Sequence, residues 1–307
     1  MNEHLLKVWN LFPYQFRNAV IKPVYKWPRE KLLEYNNDVY KRLIGHELDI
    51  DNPKSFTEKL QWYKFRYTHP DLKRIVDKCG FKEFIKEKLG DGYTIPMYGC
   101  YDSVKELEKA WDTLPETFIL KSTISSAGKN MQVVKKKSEF DFKAFKKELN
   151  TWFDPKNTML NSFCTAYFEC KPRVLAEEFV TSVGNQLYDY KIFCFNGEPH
   201  YFYTAIDHFQ GVVSKISFYD LDWNMLPVQY GEHENAKIDP PLHKQEMLEI
   251  AKKLSADFPF VRVDFFETEE KLYVAELTFY PGGGLIPYHP ESFDYEMGEK
   301  LILPIKK

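Results

Sequence analysis

The chain has 307 residues, 44% hydrophobic and 17% aromatic, enough to bury a large core and to divide into two or three packed lobes. Its 42 basic and 45 acidic residues leave a net charge of −3, so nucleic acid is not the expected main partner and any anion site has to be local. Five cysteines, at 79, 100, 164, 170 and 194, form no CxxC pair and are odd in number, which indicates neither a disulfide framework nor a structural zinc site and fits a reducing cytoplasm.

The N-terminus (MNEHLLKVWNLFPYQF) lacks an apolar run long enough for a signal sequence or a membrane span. Up to Trp27 it mixes aromatics with Lys7, Arg17, Lys22 and Lys26, which suits either a packed helix, the expected state, or peripheral contact with an anionic inner-membrane surface. Residues 1–90 read as a helical region. Asp51 or Asn52 is the expected cap of a periodic run at 56–67, and 74–89 is a second helix closed by Gly90.

Residues 91–180 read as a small α+β lobe. It opens with a short strand at 93–98 (YTIPMY) and continues as helix, turn, strand (FILKS), small-residue loop, strand (MQVVKK) and helix. A strand-like run, RVLAEEFV, ends it. Residues 181–307 read as a mixed α/β lobe: a hairpin at 189–206 turning at Asn196-Gly197, a strand (VVSKISFYD), a helix at 242–258 and a second hairpin, VRVDFF and KLYVAELTF.

That last hairpin carries the most chemistry. Period-two alternation puts Arg262, Asp264 and Phe266 on one face of the first strand and Val274, Glu276 and Thr278 on one face of the second. A register symmetric about residue 270 sets Asp264 opposite Glu276, about 4.5–5.5 Å apart at Cβ, where two like charges repel unless something positive lies between them. Mg²⁺ suits two hard carboxylates. The plainer reading is a solvated hairpin in which Arg262 neutralises Asp264.

Residues 118–130 (FILKSTISSAGKN) end a buried strand at Lys121 and follow it with Ser122, Thr123, Ser125, Ser126 and Gly128, small residues whose amides can crowd onto an anion. The run continues as a strand and has Asn130 where a P-loop has Ser or Thr, so it is not a Walker A motif. It fits a flap over phosphates, or simply a turn. Asp189, Lys191, Phe193 and Phe195 alternate on one face, which suits either ribose and phosphate binding or a salt-bridged surface strand. Asp220-Leu221-Asp222 is a DxD, read either as a metal ligand of a glycosyltransferase or as the turn after a strand.

The order of these parts carries a resemblance. Asp77-Lys78 with Lys82, FILK and its loop, AEEFV, DYKIF, and the Arg262, Asp264, Glu276 hairpin ending in TFYPGGG together resemble the ATP-grasp superfamily. NPKSFTEKLQWYK, DYKIFCFNGEP and AELTFYPGGG look like its TupA-like branch, associated with bacterial surface polysaccharide and teichuronopeptide synthesis; the match covers roughly residues 50–295. The resemblance implies an ATP-grasp-like α/β (α+β mixed) fold of two α+β lobes behind a helical N-terminal region.

It also implies ATP and Mg²⁺. Lys78 and Lys121 would reach nucleotide phosphates under the loop containing Ser125, Ser126 and Gly128, with Lys215 a weaker candidate. The stretch from Glu177 and Glu178 to Val180 would be the adenine hinge, Asp189 the ribose carboxylate, and Lys191 would lie near the phosphates. Asp264 and Glu276 match the metal ligands, with Thr278 standing where relatives such as D-alanine:D-alanine ligase carry Asn. Arg262 and Lys191 would be the catalytic cations. The implied reaction is amide formation through an acyl phosphate, joining a small-molecule or glycan carboxylate, here a uronic acid, to an amino acid or small amine. The competing expectations are the DxD glycosyltransferase and a non-catalytic carbohydrate-binding protein.

Overall fold

The computed structural model describes residues 27–125, 130–154, 164–168, 170–180, 188–206 and 215–305. Ser126, Gly128 and the basic residues before Trp27 lie outside them.

Helix α1 (Arg29–Ile44) ends at Gly45 in the left-handed region, φ 103°. Helix α2 (Phe56–Arg66) starts at a capping box rather than at Asp51 or Asn52: Ser55 Oγ accepts from the Glu58 amide and the Glu58 carboxylate accepts from the Ser55 amide. The run expected as one helix at 74–89 is two, α3 (Leu72–Val76) and α4 (Lys78–Leu89). Asp77 separates them because its carboxylate accepts from the Cys79 and Gly80 amides and caps α4.

The expected strand at 93–98 is shifted to β1 (Met97–Tyr101). The shift follows from where the backbone bonds go: the Tyr93 carbonyl is taken by the Val274 amide at 2.7 Å and the Pro96 carbonyl by the Glu178 amide at 2.9 Å. Helix α5 (Val104–Ala110), strands β2 (Phe118–Ser122) and β3 (Met131–Val134), helix α6 (Phe142–Thr151) and β4 (Val174–Glu177) complete an antiparallel sheet ordered β1-β4-β2-β3. Phe118, Leu120, Val174 and Ala176 share the face that packs on Leu107, Leu149 and Trp152. The other face therefore carries Ile119, Lys121, Leu175 and Glu177.

Strands β5 (Tyr188–Phe195) and β6 (Glu198–Ile206) form the expected hairpin, with φ of 50° at Asn196 and 86° at Gly197. Strand β7 (Lys215–Tyr219), the short β8 (Gln229–Tyr230), helix α7 (Lys244–Ser255), strands β9 (Phe260–Glu267) and β10 (Leu272–Thr278), the short β11 (Tyr288–His289) and helix α8 (Ser292–Lys300) follow. The larger sheet is antiparallel, ordered β10-β9-β5-β6-β7. Its Ile192, Cys194, Val261 and Val263 face lies against α7, whose Met247, Ala251 and Leu254 are buried. On the opposite face the Phe56 ring of α2 packs on Phe193, Phe195 and Phe260. Going on from Phe260, the next inward positions on β9 are Arg262 and Asp264.

The expectation of unpaired cysteines is wrong. Cys79, in the first turn of α4, is bonded to Cys100 on β1, with Cα atoms 6.4 Å apart at a sequence separation of 21; Cys164, Cys170 and Cys194 are buried and in no disulfide. Pairing depends on what the fold brings together, which an odd count does not decide, and the ground for expecting a reducing compartment is gone. Closing a loop of this length restricts the unfolded chain, so the Cys79→Ser, Cys100→Ser double variant is expected to lose about 2–3 kcal/mol of unfolding free energy. Urea titration with and without dithiothreitol checks this, and a native midpoint that ignores reductant would show that the pair is open in solution.

Among the described residues no helix is long and apolar enough to cross a membrane.

Candidate active site

The register of β9 and β10 sets Glu276 opposite Asp264 and Thr278 opposite Arg262, as the sequence reading expects. It does so through a β-bulge at Ala275. Val274 pairs with Phe265, so it lies on the opposite face from Glu276, not on the same one. On the other side of β9, Lys191 of β5 sits opposite Asp264.

These neighbours converge on one carboxylate. Asp264 is 4% exposed. Arg262 Nε donates to its Oδ1 at 2.7 Å and Arg262 Nη2 to its Oδ2 at 2.6 Å, a bidentate fork, while Lys191 Nζ lies 3.1 Å from Oδ2 and 3.2 Å from Asp189 Oδ2. Arg262 Nη2 also donates to Thr278 Oγ1 at 3.1 Å, and its guanidinium lies 5.7 Å from the centre of the Tyr203 ring. Burial alone would raise the Asp264 pKa, but Arg262 and Lys191 outweigh it and hold the carboxyl below its ordinary range. Burial would likewise lower Lys191, yet Asp189 and Asp264 raise it. Arg262 and Lys191 stay charged. The hairpin is thus neutralised by Arg262 as the plainer reading has it, but in the interior rather than in solvent.

A second cluster lies on the inward face of the small sheet. Glu177 is 3% exposed, with Oε2 2.7 Å from Lys82 Nζ and Oε1 2.6 Å from Lys121 Nζ. The two cations hold its pKa down against the burial that raises it, and burial holds Lys82 below the ordinary lysine value. Lys78 lies outside this cluster. Its Nζ donates to the Ser125 carbonyl at 2.7 Å, at the root of the small-residue loop, and Ser125 Oγ donates to the Ser122 carbonyl at 3.0 Å. Lys82 stands one helical turn further along α4, and the four-residue spacing of Lys78 and Lys82 is the signal that both share a face. Helix α4 also lies against β10, so the helix bearing Lys82 borders the hairpin bearing Glu276.

The other candidates stand apart. Glu178 is exposed, with its amide on Pro96; Val180 is half-buried; Lys215 is exposed on the edge strand β7, paired with Ile206. The DxD is a turn: Asp220 accepts from the Asn224 amide and side chain at 2.8 Å each, and Asp222 is exposed.

Among the described residues no three or more His, Cys, Asp or Glu side chains are grouped to hold a metal. The donor set of Asp264, Glu276 and Thr278 nevertheless fits Mg²⁺. Asp264 Oδ1 accepts a single bond, from Arg262, which leaves it a lone pair, and Mg²⁺ takes one or two carboxylates together with substrate phosphates.

No curated protein matches the chain. Solved structures with a similar course include D-alanine-D-alanine ligase from Helicobacter pylori (18% identity, 74% of this chain and 61% of that one, TM-score 0.43). They also include N5-carboxyaminoimidazole synthase from Aspergillus clavatus in complex with ADP and 5-aminoimidazole ribonucleotide (16%, 86% and 59%, 0.44), and D-alanine-D-alanine ligase from Bacillus anthracis (14%, 83% and 74%, 0.42). The chain spans 61% of the length of the first of these. The family model described as TupA-like ATPgrasp matches residues 58–302, most of the chain and both charge clusters. The protein therefore belongs to the TupA-like ATP-grasp family.

Proposed function

We propose that the protein is an ATP-dependent carboxylate–amine ligase that joins an amino acid or small amine to a uronic acid in bacterial surface-polysaccharide synthesis. Family membership supports the ATP-grasp class, and the single observation that carries the chemistry is the convergence of Arg262 and Lys191 on Asp264 across the adjacent strands β9 and β5. No side chain there is a nucleophile. Such a set works by positioning and by charge stabilisation, as phosphoryl transfer requires.

In this reading Lys82 and Lys121 hold nucleotide phosphates, with Glu177 fixing both ammonium groups. Asp189 takes ribose hydroxyls. Asp264, Glu276 and Thr278 hold Mg²⁺, which when bound neutralises phosphate charge. A substrate carboxylate oxygen attacks the γ-phosphorus, the bond to the β,γ-bridging oxygen breaks and ADP leaves. The amine then attacks the acyl carbon, Arg262 stabilises the oxyanion of the tetrahedral adduct, and phosphate departs while the nitrogen loses its proton. Among the described residues most aromatic side chains are core, which counts against the carbohydrate-binding reading.

Calorimetric titration of ATP with Mg²⁺ into the native protein and into Glu276→Gln, repeated with EDTA, tests this. Saturable binding is expected, weakened about tenfold or more by the variant and by EDTA, with ADP release on adding uronic acids and amines. A well-folded native protein that binds no ATP, and binds a UDP-sugar instead, would sink the ligase.

A further inference from the structure

Helix α2 has a polar stripe on its buried side. Thr57, Gln61 and Lys64 recur at helical spacing and are 1%, 0% and 0% exposed, between Phe56, Leu60 and Tyr63. Fully burying a lysine is costly unless its charge is met. Here Lys64 Nζ donates to the Gly283 carbonyl at 2.9 Å and to Asn36 Oδ1 at 3.1 Å. Gln61 Nε2 donates to the Gly284 carbonyl at 2.6 Å and to that of Gly283 at 3.2 Å, while the Asn36 amide, also fully buried, donates to Gln61 Oε1 at 3.1 Å. Two buried side chains, tied together by a third, thus grip two consecutive backbone carbonyls.

The gripped segment is the turn Pro281–Gly284, three residues beyond Thr278. Gly282, Gly283 and Gly284 have φ of 57°, 66° and 64°, a left-handed run that only glycine adopts readily. A Cβ at Gly282 would lie 2.3 Å from Tyr230 Oη and one at Gly284 2.5 Å from Gln61 Nε2, so both sides of the turn are in contact. Lys64 has a second reach. Its own carbonyl accepts from Thr165 Oγ1 at 2.6 Å, at the head of a short turn that carries Tyr167. That turn packs on α3, and α3 packs on β10, the strand that carries Glu276.

We propose that Lys64, aided by Gln61, is a positioning residue of the site, holding the glycine turn that follows the β10 end presenting Glu276 and Thr278. The role rests on the ligase reading of that strand. Lys64 touches neither phosphates nor substrate. It fixes the strand end and the turn against which the acid and amine substrates meet, and leaves the nucleotide cluster at Lys82 and Lys121 alone.

The test compares native protein with Lys64→Met, Lys64→Arg and Gln61→Met, each checked for folding by thermal melting. Calorimetry reads MgATP affinity. ADP release with a panel of uronic acids and hydroxylamine as the amine reads kcat and the KM for ATP. Lys64→Met is expected to keep its ATP affinity and KM within about twofold while kcat falls on the order of 100-fold, the cost of a misplacement of about an ångström. Lys64→Arg, which restores charged donors, recovers part of kcat. Gln61→Met falls in the same direction and carries the comparison if Lys64→Met does not fold.

A folded Lys64→Met with native kcat overturns the role. So does a loss of ATP affinity in step with kcat, which would make Lys64 a general prop. A native protein that binds no ATP removes the ligase reading and this role together. Native binding of ATP without ADP release by any acid removes the reaction that the role serves.

Discussion

Asp264→Asn is expected to lower the unfolding free energy by about 3–5 kcal/mol at neutral pH, the cost of removing one partner from a buried ion cluster. An amide keeps the shape but loses the charge that two cations face. Lys191, its side chain 12% exposed, would keep Asp189 at 3.2 Å, while Arg262, 13% exposed, would lose its bidentate partner. Lys191→Met in the Asp264→Asn background should then return part of the loss, because it removes the excess positive charge beside Arg262; a double-mutant cycle by urea denaturation measures this.

The pH dependence has a definite sign. The folded pKa of Asp264 lies below its ordinary 3.8, so its contribution is complete above that value and disappears as pH falls through the folded one. Native protein should therefore lose more stability than the variant below about pH 4. A variant within about 1 kcal/mol of native would mean that Arg262 and Lys191 find other acceptors or water, and that the cluster is weaker than its geometry.

Lys64 gives the second large effect. Burial lowers its pKa from 10.5 to about 8. At 1.36 kcal/mol per pH unit, that difference is worth about 3 kcal/mol. Between those values the unfolded chain binds a proton that the folded chain does not. Folded stability should therefore rise with pH from about 8 to 10.5, relieved of a penalty that is complete below 8. Lys64→Met lacks this titration. The difference in urea midpoint between native and variant, followed from pH 7 to pH 10.5, isolates the slope from that of the tyrosines, which are common to both. A parallel pair of curves would show that Lys64 stays charged in the fold throughout.

What the sequence disclosed and withheld follows from the range of each interaction. The hairpins at Asn196-Gly197 and at 260–278 are local, written in turn residues and in alternation, and the pairing of Glu276 with Asp264 could be read from them. Lys191 was singled out for its alternation with Asp189, but its place opposite Asp264 depends on β5 pairing with β9 across some seventy residues, and nothing local sets that register. That Lys82, not Lys78, meets Lys121 at Glu177 was hidden for a related reason. Two lysines four apart on one helix face look alike until the Glu177 strand is placed beside one of them. The cysteine reading failed because spacing patterns recognise metal sites, not a bond between a helix turn and a strand. The Gln61 and Lys64 grip was hidden within a run whose periodicity correctly indicated a helix but whose polar positions carry no local sign of burial.

The bulge at Ala275 has a consequence for how this hairpin can vary. Counted from its tip, where Leu272 faces Glu267, an unbroken ladder would bring Glu276 opposite Val263, turned toward α7. The extra residue at Ala275 resets the count, so the working end of the hairpin and its tip keep independent phase. Ala275 is exposed, and removing it would leave Val274 on Phe265 and Glu276 on Asp264 as successive pairs. The site end can therefore stay in frame through a one-residue change in chain length here, whereas the same change between Glu276 and Thr278 would turn the threonine away from Arg262.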